Sequence, residues 1–473
     1  MKKPLFLVLV CLLAVAVSAF VIISYIQWKR PEPTPSGRTV TGRDATPKRD
    51  LGQPNFFVQV SNRLIDARLQ RPVDQTAPVK EVILGTRVTG TSHTTGRATA
   101  QFALDAKKAA IDIIFRGTAE SETVGRHGPV TIGSDGKTLI TARKRVLIDA
   151  DGIKSLPATA NAVTHTKTTG IEAKRPIVER IAERRTDAER PRTDRMVAKN
   201  TEQTVDHNMD QEVDKQVAEA NDAFQKRFRQ PLEKQGLFPA ELLFSTTKEA
   251  IRAQVLWAKG EQAGALSAPP EFDPAPDLGV QVHESFANNL AAAELAGKHL
   301  DEATVQAAAA KLLGSLPGQL GPDQSGEPWA ITFAEEEPIT IRLTDDSVQL
   351  TIRAQHLVHG KTAYPGVDLE AEYKFELGDG QFKAVRQGDV RILPPGYGGE
   401  DKRLPIHDVI ICSILDYWFG DVLTKEVVRK GFTPRGKWSH IGTFQPIQVQ
   451  AKDGWLVVGW KHVPGQGAEK GRN

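Results

Sequence analysis

From Phe56 to about Thr169 the chain alternates apolar and polar residues with a period of two. In AAIDIIFRGTA, Ile111, Ile113 and Phe115 fall on one side, with Asp112 and Arg116 on the other. This predicts half-buried strands. GSDGKT at 133–138 and DADG at 149–152 carry Asp-Gly pairs, which suit the positive φ of tight hairpins and predict turns. DADG also opens like a calcium loop, but the remaining ligands and the closing Glu are missing, so a turn is the expectation.

The pattern then changes period. Between Ile171 and Lys234 there are 14 basic and 14 acidic residues and no strand alternation. Val197, Val205, Met209, Val213, Val217, Ala220, Phe224 and Phe228 recur mostly four apart, a narrow stripe on one long helix. Pro191 is expected to break or start it, and Pro231 with Gly236 to end it. Such a helix packs one edge on a sheet or another helix, or offers the stripe to a partner.

Beyond Leu237 the alternation returns more cleanly. ITIRLTDDSVQLTIRA puts Ile339, Ile341, Leu343, Val348, Leu350 and Ile352 on one face across an Asp345-Asp346 turn. DLEAEYKFELGDGQF does the same with Leu369, Ala371, Tyr373, Phe375 and Leu377. Sheets with one apolar and one polar face are antiparallel and need a cover. An Ala-rich helical region at 285–316 and the segment 405–428 are the candidates. In the latter, Ile406, Val409, Ile410, Ile414, Leu415, Trp418, Phe419, Val422 and Leu423 spread round the helix, which predicts burial on all sides under the sheet. A last hairpin is expected around Lys452-Asp453-Gly454. VQVSNRLIDARL (58–69) and VQVHESFANNLAAAEL (280–295) align if four residues are allowed for in the second. Each reads as a strand running into a helix at the start of a module.

The N-terminus changes the cellular setting. Pro4 to Gln27 carries no charge, and as a helix it is roughly 36 Å long, enough to cross a bilayer core. Val17-Ser18-Ala19 resembles a signal-peptidase site, yet the apolar run continues to Trp28, which favours an uncleaved anchor over a cleaved signal. Lys2 and Lys3 favour a cytoplasmic N-terminus, while Lys29, Arg30, Arg38 and Arg43 argue the reverse. Large domains translocate regardless of charge, so the bulk is expected outside the cytoplasm on a single-pass inner-membrane anchor. Secretion after signal cleavage is the alternative. Lys29 to Pro54 is rich in Pro, Gly, Ser and Thr and reads as a tether.

Composition adds exclusions. A net charge of +3 on 61 basic and 58 acidic residues leaves no basic footprint for nucleic acid. Of the two cysteines, Cys11 lies in the apolar run, so the remainder holds only Cys412 and no internal disulfide. Cys412, among isoleucines, reads as a small buried hydrophobe. No phosphate-binding glycine loop, nucleophile elbow, zinc-protease helix or kinase signature occurs. Ser92 and His93 are strand neighbours that point apart, and His356 and His359 have no clustered Cys or carboxylate. No enzyme, metal or cofactor is indicated.

The order of a strand into helices (Val280–Leu316), a long one-faced sheet (Trp329–Ile392) and a later apolar helix (Leu404–Lys430) resembles the tubular lipid-binding superfamily. That resemblance implies a curved sheet wrapped round a helix and an apolar tunnel. The absence of a disulfide found in many animal members points to a distant bacterial type. The expected fold is therefore α+β: two antiparallel-sheet modules with long covering helices, joined by a long charged helix, plus one N-terminal transmembrane helix. The divisions are an anchor or signal at 1–28, a Pro-rich linker at 29–54, a β-rich module at 55–170, a charged helical connector at 171–235, an α+β module at 236–463 and a disordered tail at 464–473. The expected function is binding of a lipid or other apolar ligand, with Ile414, Leu415, Trp418, Phe419 and Val422 as lining. The alternative is a structural or protein-interaction component of the envelope without a small-molecule ligand. The expected partners are the membrane through the N-terminal helix, lipid, and envelope proteins through the 193–230 helix.

Overall fold

The computed structural model describes residues 51–69, 71–234, 236–304, 328–397, 404–419, 423, 425–434 and 442–464. It is an α+β protein of antiparallel sheets with several helices, one of them very long. No helix among the described residues is long and apolar enough to cross a membrane. The run Pro4–Gln27, on which the expected transmembrane helix falls, lies outside them. The chain divides into two compact units.

The first unit holds Ser61–Phe228 with Phe244–Arg252. After β1 (Phe56–Ser61) and α1 (Asn62–Leu69) come β2 (Arg71–Ile83), β3 (Thr86–Phe102), β4 (Ala109–His127), β5 (Val130–Asp149), β6 (Gly152–Ser155) and β7 (Thr159–Ala173). β2 to β6 form a sheet in chain order, and β7 pairs with β5. Pro72 and Pro78 lie in β2, at the edge of that order, where a missing N–H costs the ladder least. Along β5, residues 138, 140, 142, 144, 146 and 148 are buried and their neighbours are half-buried or exposed. One face is thus covered, and the other is open except near the start of β4, where Ala110, Asp112 and Ile114 are buried. Ile111, Ile113 and Phe115 stand opposite Val146, Lys144 and Ala142 on the covered face.

The cover is α2 (Pro176–Phe224), which continues through a π turn (Gln225–Arg229) into α3 (Gln230–Lys234). Pro176 opens it, where a proline lacks nothing the helix needs. Val213, Val217, Ala220, Phe224 and Phe228 are buried, so the downstream half of the expected stripe packs within the chain. Two expectations need correcting. The helix runs through Pro191: a proline inside a helix costs about 3 kcal/mol, and the packing downstream outweighs it. GSDGKT is not a turn but part of β5, because ladders to β4 and β7 hold it on both sides. Its glycine survives as a register shift against β7 between Gly133 and Ser134. DADG is a turn, with the Asp151 amide donating to Asp149 Oδ1 at 3.1 Å.

Polar clasps fix α2 to the sheet. Lys144, 1% exposed, is paired with Asp210, and with Asp214 at 2.8 Å. Farther along, Asp194 accepts from the Thr166 amide at 3.1 Å and Glu202 from the Ala162 amide at 2.9 Å. On the face away from α2, the buried Asp112 takes Arg145 Nε at 2.8 Å.

The second unit comprises described residues 51–60, Arg229–Leu243 and Ala253 onward. Following β8 (Glu241–Thr246) and β9 (Ala250–Leu256), β10 (Leu278–His283) runs into α4 (Glu284–Leu295). Then come β11 (His299–Asp301), β12 (Trp329–Phe333), β13 (Ile339–Thr344), β14 (Ser347–His359), β15 (Thr362–Tyr364), β16 (Val367–Gly378), β17 (Gln381–Leu393), α5 (Ile406–Phe419), β18 (Glu426–Lys430), β19 (Thr443–Lys452) and β20 (Trp455–Val463). β11, β12, β14, β16, β17 and β18 follow one another across an eight-stranded sheet, with β13 and β15 also paired to β14. The hairpins expected at Asp345-Asp346 and Asp453-Gly454 are present, and Asp379-Gly380 makes a further one. Asp345 and Asp346 (φ 35° and 60°), Asp379 and Gly380 (52° and 67°), and Asp453 and Gly454 (52° and 80°) take the left-handed turn positions. The helix expected over 285–316 ends at Leu295, where Gly297 at φ 66° turns the chain into β11; residues 305–316 lie outside the description.

A further sheet has the order β19-β20-β10-β1-β9-β8, a palindrome in which β1 and β10 are the central pair. They are the strands of the repeated VQV segments, and Val58 stands opposite Val280.

Candidate functional site

The segment expected to line a ligand site is α5, Ile406–Phe419. Pro405 precedes it and accepts the Val409 amide at 3.1 Å, closing the first turn. Leu415 is fully buried in a core with Ile331, Phe333, Leu357, Leu369, Tyr373 and Ile392, and Ile411 and Cys412 pack beside it. Positions 411, 412 and 415 follow a three-to-four spacing, which makes this the inward face. Burial, followed by the negative charge of Asp408, pushes the Cys412 thiol above its ordinary value. It is therefore a packed hydrophobe and not an activated nucleophile.

The opposite face differs from the expectation of burial on all sides. Ile406, Ile410 and Ile414, four apart, are 81%, 55% and 38% exposed, and Val409 beside them is 46% exposed. An apolar sequence all round a helix shows that every side is greasy, but not which side the sheet covers. The uncovered column forgoes roughly 4 kcal/mol of burial free energy that a partner could recover. Of the five expected lining residues, Leu415 is in the core and Ile414 faces outward. Trp418 and Phe419 lie on the helix, with no side-chain position described, and Val422 lies outside the described residues.

Each unit also carries a polar depression on its sheet. On the free face of the first unit, His93, Glu120, Lys137 and His165 line up across four strands, at an open depression of about 510 Å³. His93 Nε2 lies 3.6 Å from Asp74, and Lys137 lies 3.3 Å from Glu120. Among the described residues no group of three or more His, Cys, Asp or Glu side chains is placed to hold a metal ion. On the second unit a depression of about 370 Å³ is lined by Arg342, Gln349, Arg353, Glu370, Glu372 and Arg391 among others. This is the polar face of the one-sided sheet.

Sequence reasoning missed one matched pair. Asn55 donates its amide to Val255 O at 2.9 Å, and its Oδ1 accepts the Trp257 amide at 2.9 Å. Asp277 donates its amide to Trp460 O at 2.9 Å, and its Oδ2 accepts the His462 amide at 2.9 Å. The same clasp thus holds each central strand to its outer neighbour. The signal was available: Pro54-Asn55 and Pro276-Asp277 stand at the same distance before the repeated VQV.

No family model matches the chain, and no curated protein does. Among solved structures it is similar to the crystal structure of lipopolysaccharide binding protein, with a TM-score of 0.32 and 9% identity over 88% of this chain and 100% of that one.

Proposed function

We propose that this chain is a membrane-tethered envelope protein whose folded body serves as a structural or protein-interaction component. The uncharged run Pro4–Gln27 supports the tether, and residues 29–50 would act as the spacer, because Gln53 already pairs with Ala265 in the folded body. The observation that carries the interaction reading is the outward column Ile406, Ile410 and Ile414 on α5. Scattered exposed apolar residues are ordinary, but a contiguous column on a helix is what a partner's groove recognises. The stripe of α2 is the weaker candidate, because its downstream residues are already buried.

A lipid-carrying role would need an apolar tunnel between sheet and helix. The described core there is occupied by Leu415, Phe333, Leu357 and Tyr373, which favours the interaction reading. The test is a photo-crosslinking residue placed at Ile410 in the full-length chain in its native membrane. A discrete protein adduct, lost in Ile406→Asp, is the expected result, with no stoichiometric lipid in organic extracts of the purified chain. Stoichiometric lipid without an adduct would overturn this reading in favour of the ligand-carrying one.

A further inference from the structure

One end of the long sheet in the first unit combines exposed apolar side chains with a concentration of cations. Three chain reversals meet there. Leu84-Gly85 joins β2 to β3 and Gly128-Pro129 joins β4 to β5. Lys174-Arg175 leads from β7, whose last residue Ala173 pairs with Val130, into α2. The helix start lies level with these turns. Thr166 and Asp194 are hydrogen-bonded. Seven strand residues from Thr166 to Ala173 span about 24 Å, and seventeen helical residues from Asp194 back to Ile177 span about 26 Å.

Ile177 and Ile181, one helical turn apart, are 74% and 61% exposed. The segments 84–87, 126–130 and 172–185 together hold seven basic and three acidic residues. Arg87 and Arg126 are exposed and stand directly opposite each other across β3 and β4. Like charges in that position repel, and neither has an ion pair among the described residues. At the hairpin tip the half-buried Leu84 takes φ 49°, a conformation that favours Asn or Gly. A leucine kept in a left-handed turn at the tip is an outlier that points to use.

We propose that this end of the first unit is a contact surface for an anionic lipid bilayer, with Leu84, Ile177 and Ile181 entering the interface and the arginines meeting headgroup phosphates. Apolar side chains ringed by Lys and Arg are the combination that holds a surface element on an anionic membrane. Charge complementarity selects the bilayer as occupant, because an apolar protein groove would have no use for seven cations. The inference is independent of the reading of α5 and of the N-terminal run.

The test uses the full-length chain with Cys11→Ala and Cys412→Ala and an environment-sensitive fluorophore at Pro129→Cys, in the exposed β4–β5 turn. A control carries it at Lys107→Cys, at the other end of β4. The protein is reconstituted in phosphatidylcholine vesicles, with or without about one third phosphatidylglycerol, containing spin-labelled quencher lipids. Quenching at position 129 is expected to be about threefold or more greater in the anionic vesicles, and to fall as NaCl is raised to about 0.5 M. Position 107 should be indifferent to lipid charge. Arg87→Glu with Arg126→Glu should bring the ratio to about one, and Ile177→Asp should weaken quenching, while Arg87→Lys with Arg126→Lys retains it. Equal quenching at 129 and 107, or at 129 in neutral and anionic vesicles, would overturn the proposal, whatever the N-terminal run does.

Discussion

Val58 and Val280 face each other in antiparallel register at the centre of a palindromic sheet, each the first residue of a VQV segment. A residue paired with its own counterpart marks a local two-fold relation, extended outward by the clasps of Asn55 and Asp277. Asn55 is fully buried and Asp277 is 2% exposed, so truncating either leaves a buried amide without its acceptor. Asn55→Ala and Asp277→Ala should each cost about 2 kcal/mol in urea denaturation. The two losses should add to within about 0.5 kcal/mol, since their partners are separate. A loss at one site only would show that the clasps are not equivalent.

Ionic clasps make the first unit sensitive to acid. Burial works to raise Asp112 and Asp210. Hydrogen bonds from Arg145 and Arg143 to the first, and from Lys144 and the Ala158 amide to the second, outweigh it and hold both carboxyls below their ordinary value. Their contribution is full above the unfolded value of about 3.9 and is lost as pH falls through the lower folded values. Asp206 has the opposite sign: burial, then the charges of Asp210 and Glu202, raise it. Its charge opposes folding above that raised value, and protonation relieves the cost. Asp206→Asn should therefore gain about 0.5 kcal/mol at pH 7 and nothing at pH 3. Asp210→Asn should lose about 1 kcal/mol at pH 7. Denaturation midpoints across pH 3–7 distinguish these signs.

The two faces of α5 should separate stability from association. Leu415 is fully buried, and Leu415→Ala should cost about 3 kcal/mol through lost burial and the cavity left behind. Ile410→Ala, at 55% exposure, should change stability by less than about 1 kcal/mol and yet weaken whatever occupies the outer column. A large destabilisation from Ile410→Ala would mean that the outward face is supported within the chain.

How much of this was legible depended on whether the physical cause was local. The hairpins at Asp345-Asp346 and Asp453-Gly454 are set by turn residues between alternating runs, so they could be read directly. GSDGKT has the same local signal, but two neighbouring ladders overrode it, and that pairing is non-local. The interior of α2 was legible from its stripe. Its passage through Pro191 was not, because the packing that offsets the proline lies some twenty residues downstream. For α5 the period showed a helix and left its covered side open, since only the sheet determines that. The tip at Leu84, Arg126 and Ile177 is assembled from three distant segments, and no one of them reads as a surface.

Leu84 offers the sharpest separation of backbone strain from side-chain role. At φ 49° it occupies the first turn position, and it borders a groove of about 130 Å³ with Ile83, Val88 and Thr193. Replacing it with Ala or Asn removes its apolar contacts about equally, but only Asn tolerates the left-handed backbone well. Leu84→Asn should therefore be more stable than Leu84→Ala by about 1 kcal/mol in urea denaturation. Against the natural chain, both should lose contact with anionic vesicles, because neither carries a leucine side chain into the interface. Equal stability of the two variants would mean that the turn is unstrained and remove the reason for assigning a use to the leucine. Undiminished vesicle contact in both would place the contact on Ile177 and the arginines alone.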